Sequence, residues 1–459
     1  MKRYDLIFIA LSLAAAALSA FVALFSVPLA LVFLIGVLVV SLVFLNPFFG
    51  LMLYLFLLFA RPQDFIPGLE RLSIVLALAV LILISFFFRK VVRREPITIF
   101  ATRRQILMFL LLLIVPLSNI ANMQLVAAWD GLVDFLTAFL LFFLIVNIAD
   151  DFKRFRTVCW TLVACTVLVC INGLVQKFRG VDLIGETLVG GRIRWIGIFH
   201  DPNDLALLIN SFLPFVLVTL FERGTSPLRR LGLVLIAALF ILNIYYTGSR
   251  GGYLALLVVI AFLSFQRWGL LKGSIAGAAF LAVILAFAPS RMANLSPEEA
   301  SASGRIYAWT YGLVMLKSHP VLGIGYMRFT PIHGRAAHSA YVSSLAELGF
   351  IGYFVWLSLV YSSLADLIAV GKSAAADAHR RYSRMLLLSF LGFLASAVFL
   401  SQAYSPILYM LCALATVVVK TAGVPLARPR FLSPHEIRMV LLLIVASLIA
   451  FKVFAVLFT

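Results

Sequence analysis

Arginines, a few histidines and one carboxylate set in apolar sequence are the groups in this 459-residue chain with chemistry to offer. The arginines gather at Gly191-Arg192-Ile193-Arg194-Trp195, at Gly248-Ser249-Arg250-Gly251-Gly252 and at Ser303-Gly304-Arg305. Planar, permanently charged guanidinium forks suit phosphate and diphosphate oxygens. Arg192, Arg194 and Arg305 would equally serve by snorkelling to lipid headgroups, and Arg250 by turning a helix hairpin between its glycines. His338 opens an apolar run in His338-Ser339-Ala340-Tyr341. An imidazole titrating near 6.5 suits a general base for a hydroxyl at neutral pH, although a helix cap also explains a histidine there. His333 competes for that role but sits in Ile332-His333-Gly334, which reads as loop. His200, beside Asp201-Pro202-Asn203-Asp204, reads as part of a helix cap, and His319-Pro320 as a helix stop. Glu347 follows His338 inside the apolar run, where a carboxylate must face a cavity or an arginine. Neutralising Arg250 or Arg305 fits it better than orienting a catalytic group.

Equally informative is what the sequence lacks. It has no Asp-x-Asp, His-Glu-x-x-His, Gly-x-Ser-x-Gly or Walker loop, which disfavours nucleotide chemistry and metalloproteolysis. Cys159, Cys165, Cys170 and Cys412 lie in apolar runs without metal or redox spacing. The sequence calls for neither a cofactor nor a bound metal.

The elements that must position these groups are membrane helices. Hydrophobic residues make up 63% of the chain and charged residues 12%, with a mean hydropathy of +1.10. A soluble domain is about a quarter charged, so a polytopic, all-α integral membrane protein of about 12 to 14 spans is expected, as one integral domain over residues 1–459. The first run, Leu6–Phe25, reads as a retained helix. Phe48–Ala60 and Tyr253–Phe265 are short for a span and predict half-spans or broken helices. A net charge of +18 would suggest nucleic acid in a soluble protein. Here the basic residues sort by side, roughly two with the N-terminus for each one opposite, which places the N-terminus in the cytoplasm and all three arginine clusters outside.

Two outer connections exceed simple turns, residues 177–204 and 289–340, and long loops carry function. Ser296-Pro297-Glu298-Glu299 reads as a capping box in the second. Ile306, Trp309, Leu313 and Leu316 then form a helical stripe suited to lying against the bilayer surface.

In order along the chain stand Arg194-Trp195-Ile196-Gly197-Ile198-Phe199, Asp201-Pro202-Asn203-Asp204, Gly248-Ser249-Arg250-Gly251-Gly252, Gly304-Arg305 with Trp309, and His319-Pro320-Val321-Leu322-Gly323-Ile324-Gly325. Last comes His338-Ser339, followed after nine residues by Gly349-Phe350-Ile351-Gly352. This succession resembles the O-antigen ligase and polymerase superfamily, its closing piece the histidine signature of the ligase branch. The resemblance covers Arg194–Gly352; the flanks match only as hydrophobic helices. It implies a glycosyltransferase C-like, all-helical enzyme of the bacterial inner membrane with its site facing the periplasm. The implied donor is O antigen on undecaprenyl diphosphate and the implied acceptor lipid A-core oligosaccharide, without a metal and with inversion at the anomeric carbon. Carried over by position, His338 is the base, Arg194 and Arg250 are the diphosphate contacts, and Arg305 occupies a further pattern position. A polymerase would take a second lipid-linked glycan and a protein O-oligosaccharyltransferase a hydroxyl side chain. A lipid-linked-sugar flippase is the non-enzyme alternative, and it would gather ionisable residues near the midplane.

Overall fold

The computed structural model describes residues 26–62, 73–96, 100–195, 201–287, 300–423 and 431–458. Among the described residues the chain is all-α. Its helices are α1 Val27–Leu45, α2 Pro47–Ala60, α3 Ile74–Val92, α4 Arg103–Ile120, α5 Leu125–Ile148, α6 Phe152–Arg179, α7 Pro202–Leu220 and α8 Pro227–Thr247. They continue as α9 Arg250–Phe287, α10 Ala300–Ser318, α11 Phe329–His333, α12 Ala340–Lys372, α13 Asp377–Ala397, α14 Pro406–Thr421 and α15 Pro434–Phe458. Nine are long and apolar enough to cross a membrane, and three shorter apolar helices accompany them. The protein is a multi-pass membrane protein. The expected first helix Leu6–Phe25 and the capping box at Ser296 lie outside the described residues.

α7 is apolar on all faces and buried along nearly its whole length between α6, α8, α9 and α13, as a helix without a polar stripe must be. α9 is a hairpin. The backbone reverses at Gly269 (φ 76°), and Gly273 then packs on Phe265 and Gly277 on Ala261, so the arms run antiparallel. The short apolar run Tyr253–Phe265 read from the sequence is the first of these arms.

Two features diverge from the sequence reading. The stripe of α10 is buried by protein. Ile306, Trp309 and Leu316 are covered, the Trp309 indole donates to the Ala337 carbonyl at 3.1 Å, and its ring meets Phe451 and Phe454 of α15. Secondly, Arg103 and Arg104, two of the basic residues whose distribution the sequence reading sorted by side, are buried at the start of α4. Asp366 of α12 accepts from both, at 2.7 Å each; Arg103 also donates to Glu436 of α15 and Arg104 to Thr416 of α14 at 2.8 Å. Four helices are tied by two cations and two anions, which is how charge persists at such depth.

α12 is broken at Gly349, where φ is 62° and ψ is −166°. An unbroken helix would join the 346 carbonyl to the 350 amide and the 347 carbonyl to the 351 amide. The loop after α10 satisfies all four groups instead: Ile324 N donates to Ala346 O (3.0 Å), Gly325 N to Glu347 O (3.1 Å), Phe350 N to Pro320 O (2.8 Å) and Ile351 N to Val321 O (3.2 Å). Irregular backbone at membrane depth is tolerated only with such replacement partners. The short arm so separated, residues 340–348, presents His338 at its start.

Candidate active site

At one end of the bundle the N-termini of α7, α9 and α12 approach one another. α7 begins at Asp201, whose carboxylate accepts from Asn203 N at 2.7 Å, followed by Pro202, which lacks the amide a first turn leaves unpaired. α9 begins directly after α8: Gly248 ends α8 in the left-handed conformation (φ 56°) and Ser249 caps α9 by accepting from Gly252 N at 3.1 Å. That puts Arg250 on the first turn of α9. The flanking glycines allow close approach, since a methyl group at Gly252 would lie 2.6 Å from Ala206 of α7 and one at Gly251 would lie 3.2 Å from Phe399.

His338 precedes the α12 cap residue Ser339 and takes a left-handed backbone, φ 49°. The imidazole reaches the surface. Its pKa lies below the ordinary 6.5, chiefly because the surrounding protein desolvates it and secondly because of the Arg305 guanidinium; Asp201 opposes the shift. The ring is therefore neutral at neutral pH, the form that can accept a proton. Arg305 also lies 5.7 Å over the Phe399 ring, the ring that Gly251 faces, so Phe399 stands between the Arg250 turn and Arg305.

Arg194 is placed differently. Its guanidinium donates to Glu186 at 3.2 Å and its amide to the Gln176 side chain at 2.8 Å, within the loop after α6. Its neighbour Arg192 reaches the site elements: Nε donates to the Thr247 carbonyl at 2.5 Å and Nη2 to Asn203 at 3.0 Å, stapling the loop to the ends of α8 and α7. Glu347 pairs with neither Arg250 nor Arg305. Its Oε1 accepts from Phe329 N at 3.0 Å, fixing α11 to the broken helix, with the Tyr404 phenol beside it. His333, read as loop, ends α11 and packs against Tyr307, Tyr311 and Phe329. His200 lies outside the described residues.

The gathering of arginine, histidine and helix N-termini is complemented by a match in sequence. Residues 235–357 match the family described as O-antigen ligase. The match is to the O-antigen ligase domain and spans 123 of the 459 residues. This supports placing the chain in the O-antigen ligase and polymerase superfamily, whose members are glycosyltransferase-like enzymes acting on polyprenyl-linked glycans. No curated protein matches the chain. Arg250, Arg305, His338 and Glu347 lie inside the O-antigen ligase segment; Arg194 and Asp201 precede it.

The structure also adds residues the sequence did not single out. A cavity of about 410 Å³ opens among Arg61, Asp134, Tyr326, Gln402 and Tyr404. Tyr326 donates to Asp134 at 2.6 Å, and Gln402 donates to Asp204 on the first turn of α7 at 2.8 Å, so one wall of the cavity is bonded to the helix that carries Asp201. Its size falls in the range of small-molecule pockets. Ser401-Gln402-Ala403-Tyr404 was visible only as a polar gap between apolar runs, a signal every membrane loop gives.

Proposed function

We propose that the protein is an O-antigen ligase, transferring O antigen from undecaprenyl diphosphate to lipid A-core oligosaccharide at the periplasmic face of the bacterial inner membrane. The observation that carries this reading is the neutral His338 beside Arg305 and Asp201, next to the helix N-termini that also hold Arg250. In the reaction, His338 takes the proton of the acceptor hydroxyl as that oxygen attacks the anomeric carbon. The bond from carbon to the diphosphate oxygen breaks, and undecaprenyl diphosphate departs. Single displacement inverts the anomeric centre. Arg250 and Arg305, with the positive ends of α7 and α9, hold the departing diphosphate charge without a metal. Arg194 joins them by exchanging Glu186 for phosphate. Glu347 acts through structure, holding α11 and the short arm of α12 together.

The test is reconstitution of the purified protein with a lipid-linked glycan and lipid A-core in excess EDTA. Transfer to lipid A-core is expected. A requirement for added magnesium or manganese would overturn the arginine-based mechanism. Transfer only to a second lipid-linked glycan, or only to a serine-bearing acceptor protein, would reassign the protein as a polymerase or an oligosaccharyltransferase.

A further inference from the structure

α7 is 19 residues long, roughly 28 Å at 1.5 Å per residue, and its far end borders a second, larger cavity of about 710 Å³. Four elements surround it: the first turns of α6 (Arg156, Trp160), the end of α7 (Thr219, Glu222), the start of α8 and the first turns of α13 (Arg381, Tyr382, Met385). It shares no residue with the candidate active site.

The cavity is graded from charge to hydrocarbon. At its mouth stand Arg156, Arg229 and Arg381 against one carboxylate, Glu222, which lies 2.6 Å from Arg381. Arg156 and Arg229 are exposed and have no carboxylate partner among the described residues. Two positive charges are thus left over. Trp160 donates to the Tyr382 hydroxyl at 2.9 Å, an aromatic pair of the kind that sits at a membrane boundary. Deeper in, the lining turns apolar with Leu233, Ile236 and Met385. On the outer face of α8, Leu228, Leu231 and Leu235 are exposed, so the side of the cavity formed by this helix borders lipid rather than protein.

From this gradient we infer that the cavity binds the phosphate headgroup of an anionic phospholipid from the adjacent leaflet. Arg156, Arg229 and Arg381 contact the phosphate, and the acyl chains leave past Ile236 over the exposed Leu231 and Leu235 of α8. Basic pockets between membrane helices recognise anionic headgroups by this combination. A zwitterionic lipid would bring its own ammonium against the surplus arginines and lose the advantage. Gly232 lines the same cavity in an ordinary helical conformation, and a methyl group there would meet nothing within 4 Å. A larger side chain at this position fills the cavity without a backbone clash.

The experiment is native mass spectrometry of the full chain in detergent, titrated separately with phosphatidylglycerol and phosphatidylcholine, and with phosphatidylglycerol in the presence of inorganic phosphate. Wild type should retain phosphatidylglycerol preferentially, and the preference should fall by about fivefold for each arginine removed in R156Q/R229Q. Gly232→Leu should weaken retention of phosphatidylglycerol with thermal stability unchanged, which separates loss of the site from loss of the fold. R94Q/K372Q, which removes two exposed charges from the same end of the bundle, should keep the preference. Unchanged preference in both cavity variants, or equal loss in the control, would overturn the inference. Inorganic phosphate displacing the lipid at equimolar concentration would reassign the site to a soluble phosphate and overturn the lipid as occupant.

Discussion

Replacing Gly349 by alanine should damage both stability and transfer, and the size of the effect follows from the backbone around it. With φ at 62° and ψ at −166°, the residue occupies a region that is essentially glycine's alone, where a side chain costs about 1 to 3 kcal/mol. The added methyl would also sit 2.5 Å from the Val321 carbonyl oxygen and 2.6 Å from Gly323 N. Both are backbone atoms and cannot rotate away. Relief requires the loop to withdraw, which parts at least one of the bonds from Phe350 N to Pro320 O and from Ile351 N to Val321 O, about 1 to 3 kcal/mol more for a buried group left unpaired. The total, about 2 to 6 kcal/mol, is a large share of a typical folding free energy. The assay pairs thermal unfolding in detergent with the reconstituted transfer rate per folded molecule. Gly371→Ala is the control, because it lies in the same helix, in helical geometry, with nothing within 4 Å of the new methyl; it should be neutral or stabilising by up to about 1 kcal/mol. Wild-type stability and transfer in Gly349→Ala would refute the account of the break.

Three further outcomes are expected. His338→Gln should leave folding and donor binding largely intact while lowering transfer by about 100-fold or more, with His333→Ala doing much less; near-normal turnover would remove His338 as the base. Arg305 is among the causes that lower the His338 pKa, so Arg305→Gln should raise it and move the acid limb of the pH profile of kcat/KM to higher pH, whereas Asp201→Asn, which still caps α7, should move it lower; an unmoved limb in both would dissociate these groups from the base. Asp366→Ala, by leaving Arg103 and Arg104 without their shared carboxylate, should cost about 3 to 5 kcal/mol of stability, read as a lower Tm with unchanged donor affinity in the folded fraction.

Much of the architecture was legible because lipid leaves few options: apolar runs of sufficient length became helices, and the short run Tyr253–Phe265 became the first arm of α9. Within the candidate site, what was legible is placement that depends on the local backbone. Arg250 could be read from the glycines around it, and those glycines proved to be a helix end and two close approaches. Residues whose role depends on distant partners were not legible. Nothing near Glu347 in sequence announces Phe329 N, and nothing near Arg103 announces Asp366. The family resemblance likewise pointed to Arg194 rather than Arg192, yet it is Arg192 that reaches the ends of α7 and α8. The stripe of α10 was identified correctly as apolar, but periodicity cannot say whether lipid or α15 covers it.

The buried cluster of Arg103, Arg104, Asp366 and Glu436 has a consequence for how the protein is made. Asp366 lies 263 residues after Arg103, and Glu436 lies 333 residues after it. At about 5 to 20 residues per second, the two arginines wait roughly 13 to 50 s for their first counter-charge and longer for the second. Through that interval they must lie extended to the headgroups, where long basic side chains reach water. Arrival of α12 draws them inward, and α15 completes neutrality. The earliest helices thus reach their final burial only after the latest have been synthesised, so biogenesis of this membrane protein closes from its C-terminal end.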